Sequence, residues 1–255
     1  MSRSIHGGRH ELGQNHLHDP ATLATITDLV RQTRGPILEI GAGSGALTRP
    51  LARLGRPLAA VDIDEHRVTR LRHELPDIAL ITADILQVRL DPQHRVVVGN
   101  VPFHLTTPIL RKLLGGEHWR ETILLVQWEV ARKRAGVGGA TMMTAQSAPW
   151  YEFELCGRVP ARAFRPMPSV DGGILRIRRR EVPLVPATNR RAYEALIKAV
   201  YTGRGRGVGQ ILGYVAGISN RHRQVWLDRT GVDRSALPRD VPPAAWSDLW
   251  SLVSG

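Results

Sequence analysis

From Gly35 to about Arg180 the chain alternates short β-branched or aliphatic runs with amphipathic segments, a pattern that predicts an α/β fold with a largely parallel sheet. Strands are expected over 36–40, 57–62, 78–82, 95–98 and 122–126, with helices over 46–54, 65–75 and 107–114 between them. That spacing is the spacing of βαβ units. Two later stretches, 151–159 and 169–178, alternate apolar and polar residues around the turn-rich 160–168 and are expected to close the sheet as an antiparallel hairpin. Beyond Glu181, Pro183 and Pro186 make a short linker, and helical periodicity then runs through Tyr193, Leu196, Ile197 and Val200. The basic turn Gly203-Arg-Gly-Arg-Gly-Val-Gly209 interrupts it before further short helices around 211–215 and 225–227. The expected organisation is an N-terminal segment over 1–20, a main α/β domain over 21–180 and a small helical domain over 181–255.

Charge narrows the class of partner. Lys and Arg total 35 against 23 Asp and Glu, giving a formal charge of +12, and 32 of those cations are Arg. A balance this basic favours a polyanionic partner, and nucleic acid over a membrane surface, since no cationic amphipathic helix flanks an anchor. No apolar run is long enough to span a bilayer, and the first residues carry no apolar secretory core. One cysteine, Cys156, excludes an intrachain disulfide and multi-Cys metal sites. His6, His10, His16 and His18 lack a second ligand cluster, so no metal is expected. These features together predict a soluble, cytoplasmic protein.

The segment Leu38-Glu-Ile-Gly-Ala-Gly-Ser-Gly-Ala-Leu-Thr48 places a glycine-rich turn between a strand and a helix, where a ligand can approach the backbone. Gly41, Gly43 and Ala46, with Asp62 about 20 residues on, also satisfy the looser dinucleotide fingerprint, so a nicotinamide oxidoreductase stays open. Glu39, Asp62 and Asp84 are expected to face one crevice at the carboxyl ends of adjacent strands. There Asp62 can accept from ribose hydroxyls and Asp84 from an adenine amino group. That arrangement suits S-adenosylmethionine, which has no pyrophosphate and carries a positive sulfonium.

At the end of the fourth predicted strand stands Gly99-Asn-Val-Pro-Phe103. An adenine N6 is a poor nucleophile because its lone pair is delocalised into the ring, so a site that methylates it must accept its N–H bonds and hold the base. Asn100 offers a side-chain carbonyl and Val101 a backbone carbonyl, with Pro102 rigidifying the turn. Phe103 supplies a flat face for an unstacked base.

With these residues in place the sequence resembles the Erm family of 23S ribosomal RNA adenine N6-methyltransferases, relatives of the small-subunit RNA dimethyltransferases. The likeness runs over roughly residues 10 to 215 and includes Gln14-Asn-His-Leu-His-Asp19, Leu38 to Leu47, Val61-Asp-Ile-Asp64, Asp84-Ile85, Asn100 to Phe103, Val126-Gln-Trp-Glu129, Arg158 to Pro168 and Val170-Asp171. The resemblance implies a class I methyltransferase fold, Rossmann-like, with a mostly parallel seven-stranded sheet, that uses S-adenosyl-L-methionine. It implies cofactor contacts from Asn15, Leu17, Gly41, Gly43, Asp62, Asp84 and Asn100, with the 1–20 segment closing over the cofactor. Asn100 would lie between cofactor and target base, with Phe103 stacked on that base. The implied substrate is one adenine of 23S rRNA, whose modification blocks macrolide, lincosamide and streptogramin B binding. His16 stands where the family usually has Phe, Gly13 where Ser is common, Asp62 where Glu is usual, and Phe103 where many members have Tyr.

Arg158, Arg162 and Arg165 around the proline-rich connection, and Arg204 and Arg206 in the glycine-rich turn, are expected to touch RNA phosphates. The 181–255 domain is expected to bind RNA, in a protein acting as a monomer. A small-subunit 16S rRNA dimethyltransferase and a non-catalytic RNA-binding factor of the same fold remain the alternatives.

Overall fold

A strand that is aliphatic on both faces needs cover on both sides, and the runs Ile37–Ile40 and Val96–Asn100 find it at the centre of a seven-stranded sheet. The computed structural model describes residues 15–90, 95–116 and 118–254. In chain order the elements are β1 (His16–Leu17), α1 (Pro20–Arg31), β2 (Ile37–Ile40), α2 (Thr48–Ala52), β3 (Leu58–Asp62), α3 (Glu65–Glu74), β4 (Ala79–Thr82), β5 (Val96–Asn100), α4 (Thr106–Gly115), β6 (Glu121–Gln127), α5 (Trp128–Arg134), α6 (Met142–Ser147), β7 (Tyr151–Val159), β8 (Phe164–Arg165), β9 (Gly172–Arg179), α7 (Arg190–Thr202), α8 (Val208–Tyr214), α9 (Asn220–Thr230) and α10 (Ala245–Val253). The strand order is β4-β3-β2-β5-β6-β9-β7, with β2 parallel to both β3 and β5, β3 parallel to β4, and β5 parallel to β6. The order reverses between β2 and β5. In an open parallel sheet the carboxyl ends at such a reversal leave a crevice, and here Ile40 lies level with Val61 and Gly99.

The chain divides into two units, the first made of residues 1–128 and 156–176 and the second of 129–155 and 177–255. In the first, α1 starts sharply because the Asp19 side chain accepts from Thr22 N–H at 2.8 Å and Pro20 occupies the first helical turn. Its buried face, Ile26 and Val30, packs in one core with Ile37, Leu51, Val98 and Ile123. β1 and β8 form a two-stranded ribbon, His16 opposite Arg165 and Leu17 opposite Phe164.

The second unit is built on aromatic contacts. Trp226 stacks on Trp246 at 5.3 Å and donates its indole N–H to the Ala245 carbonyl at 2.8 Å. The composition change near residue 181 places the boundary there, whereas 129–155 groups with the C-terminal helices. The reason is long-range packing onto α7: Tyr193 donates its hydroxyl to the Ala145 carbonyl at 2.9 Å, and its ring meets Trp150 edge-on at 5.5 Å. Among the described residues no helix is long and apolar enough to cross a membrane.

Candidate active site

Two cavities open at the carboxyl ends of the central strands and share Gly41, Asp62 and Pro102 in their walls. The first, about 420 Å³, is lined by Asn15, His16, Gly43, Arg67, Asn100, Val101 and Phe103 besides those three. The second, about 450 Å³, runs from Asp62 and Ile63 to Ala83, Asp84 and Ile85, with Leu105 and Ile109 across from them.

The loop after β2 shapes the junction. Gly41 and Gly43 adopt φ of 77° and 55°, in the left-handed region that side chains disfavour, and a Cβ on Gly41 would lie 3.6 Å from the Asn100 carbonyl. The N–H groups of Gly41 and Ala42 both go to the Val61 carbonyl, and that of Gly43 goes to Asp62 Oδ2 at 2.7 Å. The loop therefore spends these donors internally instead of offering them to a pyrophosphate, which removes the basis of the nicotinamide reading. Asp62 Oδ1 accepts from Asp64 N–H at 2.9 Å, so the backbone holds both oxygens of this carboxylate in place at the cavity wall, each with a lone pair left for a hydroxyl. Asp84 is oriented by Leu86 N–H at 2.9 Å and lines the second cavity.

The sequence placed three carboxylates in one crevice; two are there. Glu39 lines neither cavity. Strand alternation turns it to the face below Thr48, where it is 1% exposed and Oε2 has no hydrogen-bond partner among the described residues. Burial pushes its pKa up to about 8, with the Thr48 hydroxyl pulling the other way and Asp62 adding to the rise.

Asn100 ends β5 with its Nδ2 donating to the Asn15 carbonyl at 2.8 Å, so the side-chain oxygen is the group left to accept. Val101 is buried, its N–H bonded to the Leu125 carbonyl of β6 at 3.1 Å. Phe103 is half-buried in a 3₁₀ turn and meets Phe164 of β8 edge-to-face at 6.2 Å, which limits how its ring can turn. Asn15, Gly41, Gly43, Asp62, Asn100 and Phe103 thus come together as the sequence suggests, with Asp84 adjoining. Leu17 does not join them: its side chain lies in the core with Ile26 and Phe164. Most of the 1–20 segment lies outside the described residues. His16 and Arg67 line the cavity without having been singled out for it; the sign was Asp64, whose helix-capping position turns Arg67 three residues on toward the loop.

The adjoining cavities bring an apolar slot ending on Asp84 next to the carboxylate of Asp62 and the amide of Asn100, a donor set whose chemistry fits S-adenosylmethionine. Arg162 and Arg165 are exposed in the first unit, as are Arg204 and Arg206 in the second. Arg158 pairs with Asp171 at 2.7 Å and lies over the Trp128 ring at 5.1 Å.

A family model described as ribosomal RNA adenine dimethylase matches residues 5–253. The chain is 48% identical over 248 residues to the mycinamicin-resistance protein MyrB of Micromonospora griseorubida, covering 96% of this chain and 79% of that one. It is 54% identical over 207 residues to an rRNA adenine N-6-methyltransferase of Corynebacterium diphtheriae, covering 80% and 82%. Among solved structures, that of the 23S rRNA methyltransferase ErmE superposes with a TM-score of 0.85 at 31% identity, covering 94% of this chain and all of that one. Matched along almost its whole length, in fold and in sequence alike, the chain belongs to the ribosomal RNA adenine dimethylase family.

Proposed function

We propose that the protein transfers a methyl group from S-adenosylmethionine to N6 of a specific adenine in 23S rRNA, and that this confers macrolide, lincosamide and streptogramin B resistance. The observation that carries the reading is the tethered Asn100: its amide nitrogen is fixed to the Asn15 carbonyl, and the residue lines one cavity with Val101 and Phe103. The resistance role of the Micromonospora relative and the 23S rRNA activity of the solved one support the choice of substrate.

S-adenosylmethionine supplies an electrophilic methyl group on a positive sulfonium. Asn100 Oδ1 and the Val101 carbonyl accept the two N6–H hydrogens, holding the lone pair in line, while Phe103 stacks on the base. The nitrogen–carbon bond forms as the carbon–sulfur bond breaks, its electron pair stays on sulfur, and a proton leaves the nitrogen for solvent. Asp62 and Asp84 bind the ribose and the adenine amino group, Gly41 and Gly43 give the methionine side room, and the 1–20 segment closes over the cofactor through Asn15 and through the main chain of Leu17, whose side chain is in the core. Arg162 and Arg165 in the 21–180 domain, and Arg204 and Arg206 in the RNA-binding 181–255 domain, hold phosphates. On this reading the protein acts as a monomer in the cytoplasm, where ribosomal RNA is found.

Labelled methyl transfer to naked 23S and 16S rRNA tests this. Label is expected in 23S alone and is expected to vanish with Asn100→Ala; label in 16S alone would assign the protein to the small-subunit branch. Phe103→Ala is expected to slow methylation about ten- to a hundredfold, as losing ~1–3 kcal/mol of stacking implies, with cofactor affinity nearly unchanged.

A further inference from the structure

The first cavity carries a pair of nitrogen-bearing side chains that the reaction above leaves unused. A Cβ on Gly43 would lie 3.7 Å from His16 Nδ1 and 3.9 Å from Arg67 Nη1, so the two side chains converge on one point beside the second glycine of the loop. Both also line the cavity that holds Asn100 and Phe103. Each is positioned by its own element. Asp64 caps α3 by accepting from His66 and Arg67 N–H at 3.0 and 3.3 Å, and its second oxygen meets Arg67 Nε at 3.1 Å, which directs the Nη end at Gly43. On β1, Leu17 is buried in the core and the alternation of the strand turns His16 the opposite way.

Beside them Asp62 presents a carboxylate held by two backbone N–H groups, one of them that of Gly43, the glycine the two side chains flank. A carboxylate beside a guanidinium and an imidazole makes a site of mixed charge that suits a zwitterion, whereas an RNA phosphate, which carries negative charge alone, would meet Asp62 unfavourably. Burial and the neighbouring Arg67 keep His16 below the ordinary histidine range, with Asp62 pulling it back up. A neutral imidazole still offers one N–H, and Arg67 supplies the charge.

We propose that His16 and Arg67 form an oxyanion clamp for the carboxylate of the cofactor's amino-acid tail, an inference that rests on the S-adenosylmethionine reading above. The residue that the resemblance marks as a departure, His16 in place of Phe, thereby gains a task in this chain.

Calorimetry on the full chain with two nucleosides tests it: S-adenosylhomocysteine, which has the tail, and 5′-methylthioadenosine, which lacks it. Arg67→Ala is expected to weaken S-adenosylhomocysteine about tenfold or more, the scale of a charge-assisted hydrogen bond, and to leave methylthioadenosine within about twofold. His16→Phe is expected to act in the same direction less strongly, and Arg67→Lys to restore part of the loss. Equal weakening of both nucleosides would overturn the clamp. So would an unchanged S-adenosylhomocysteine affinity, including the case in which RNA binding alone suffers and the anion is a phosphate. If the unaltered protein binds neither nucleoside, the cofactor reading itself fails and takes the clamp with it.

Discussion

A carboxyl group taken out of water with no cation beside it keeps its proton, and Glu39 is in that position beneath Thr48. Its pKa rises from an ordinary 4.5 to about 8 on folding, so between those values the folded chain holds a proton that the unfolded chain has lost. Stability contributed by this group is full below pH 4.5 and falls as the pH rises toward 8. Glu39→Gln removes the titration. The variant is expected to gain stability over the parent, on the order of a few kcal/mol, as the pH goes from 5 to 9 in denaturant unfolding. A difference that stays flat across that range would mean Glu39 titrates like an exposed carboxylate. At this scale the sequence was legible wherever a residue's role follows from its backbone position. Asn100 and Phe103 follow a strand end, Gly41 and Gly43 a turn, and all four meet in the cavity. It misplaced Glu39 because the face toward which a side chain points depends on strand phase and on the cover above it.

Close approach between elements explains Gly99, which precedes Asn100 on β5. A Cβ there would sit 2.5 Å from the Ile40 carbonyl of β2, backbone that cannot swing aside. Gly99→Ala must spread β2 from β5 at the point where both deliver site residues, Gly41 from one and Asn100 from the other. The expected cost is about 1–3 kcal/mol in chemical denaturation, with weakened cofactor binding in calorimetry. Parental stability and affinity in the variant would show that the two strands part without consequence. The parallel strands around this junction were readable from apolar runs to within a few residues. The ribbon of β1 and β8 was not, because two-residue strands carry no periodicity: the pairing of His16 with Arg165 joins segments far apart in sequence. The glycines of the turn before α8 have a packing role that sequence leaves hidden. Gly209 donates its N–H to the Arg234 carbonyl at 2.9 Å, and a Cβ on Gly207 would lie 2.5 Å from that same oxygen.

For the whole molecule, a charge of +12 says that a polyanion is favoured but not which cations meet it. Folding sorts them. Arg176 gives two hydrogen bonds to Glu121, 55 positions away, Arg180 reaches Glu152 at 2.8 Å, and Arg178 lies 3.6 Å from both Glu152 and Glu154. Such partners cannot be assigned from the chain order, so the run from Arg176 to Arg180 looks as available in sequence as any other. Arg162, Arg165, Arg204 and Arg206 are exposed, and among the described residues none lies within ion-pair distance of a carboxylate. If these four carry phosphate contacts, each neutralises a phosphate and frees the cation condensed on it, and the salt dependence of RNA affinity reports them one by one. Alanine at any of the four is expected to lower the slope of log K against log salt by about 0.7–0.9, weakening binding to all RNA sequences alike. Arg178→Ala, with its charge already matched within the fold, is expected to leave that slope unchanged. Equal slope changes from Arg178 and from the four would mean that the protein attracts RNA through its net charge, without fixed phosphate contacts at the exposed arginines.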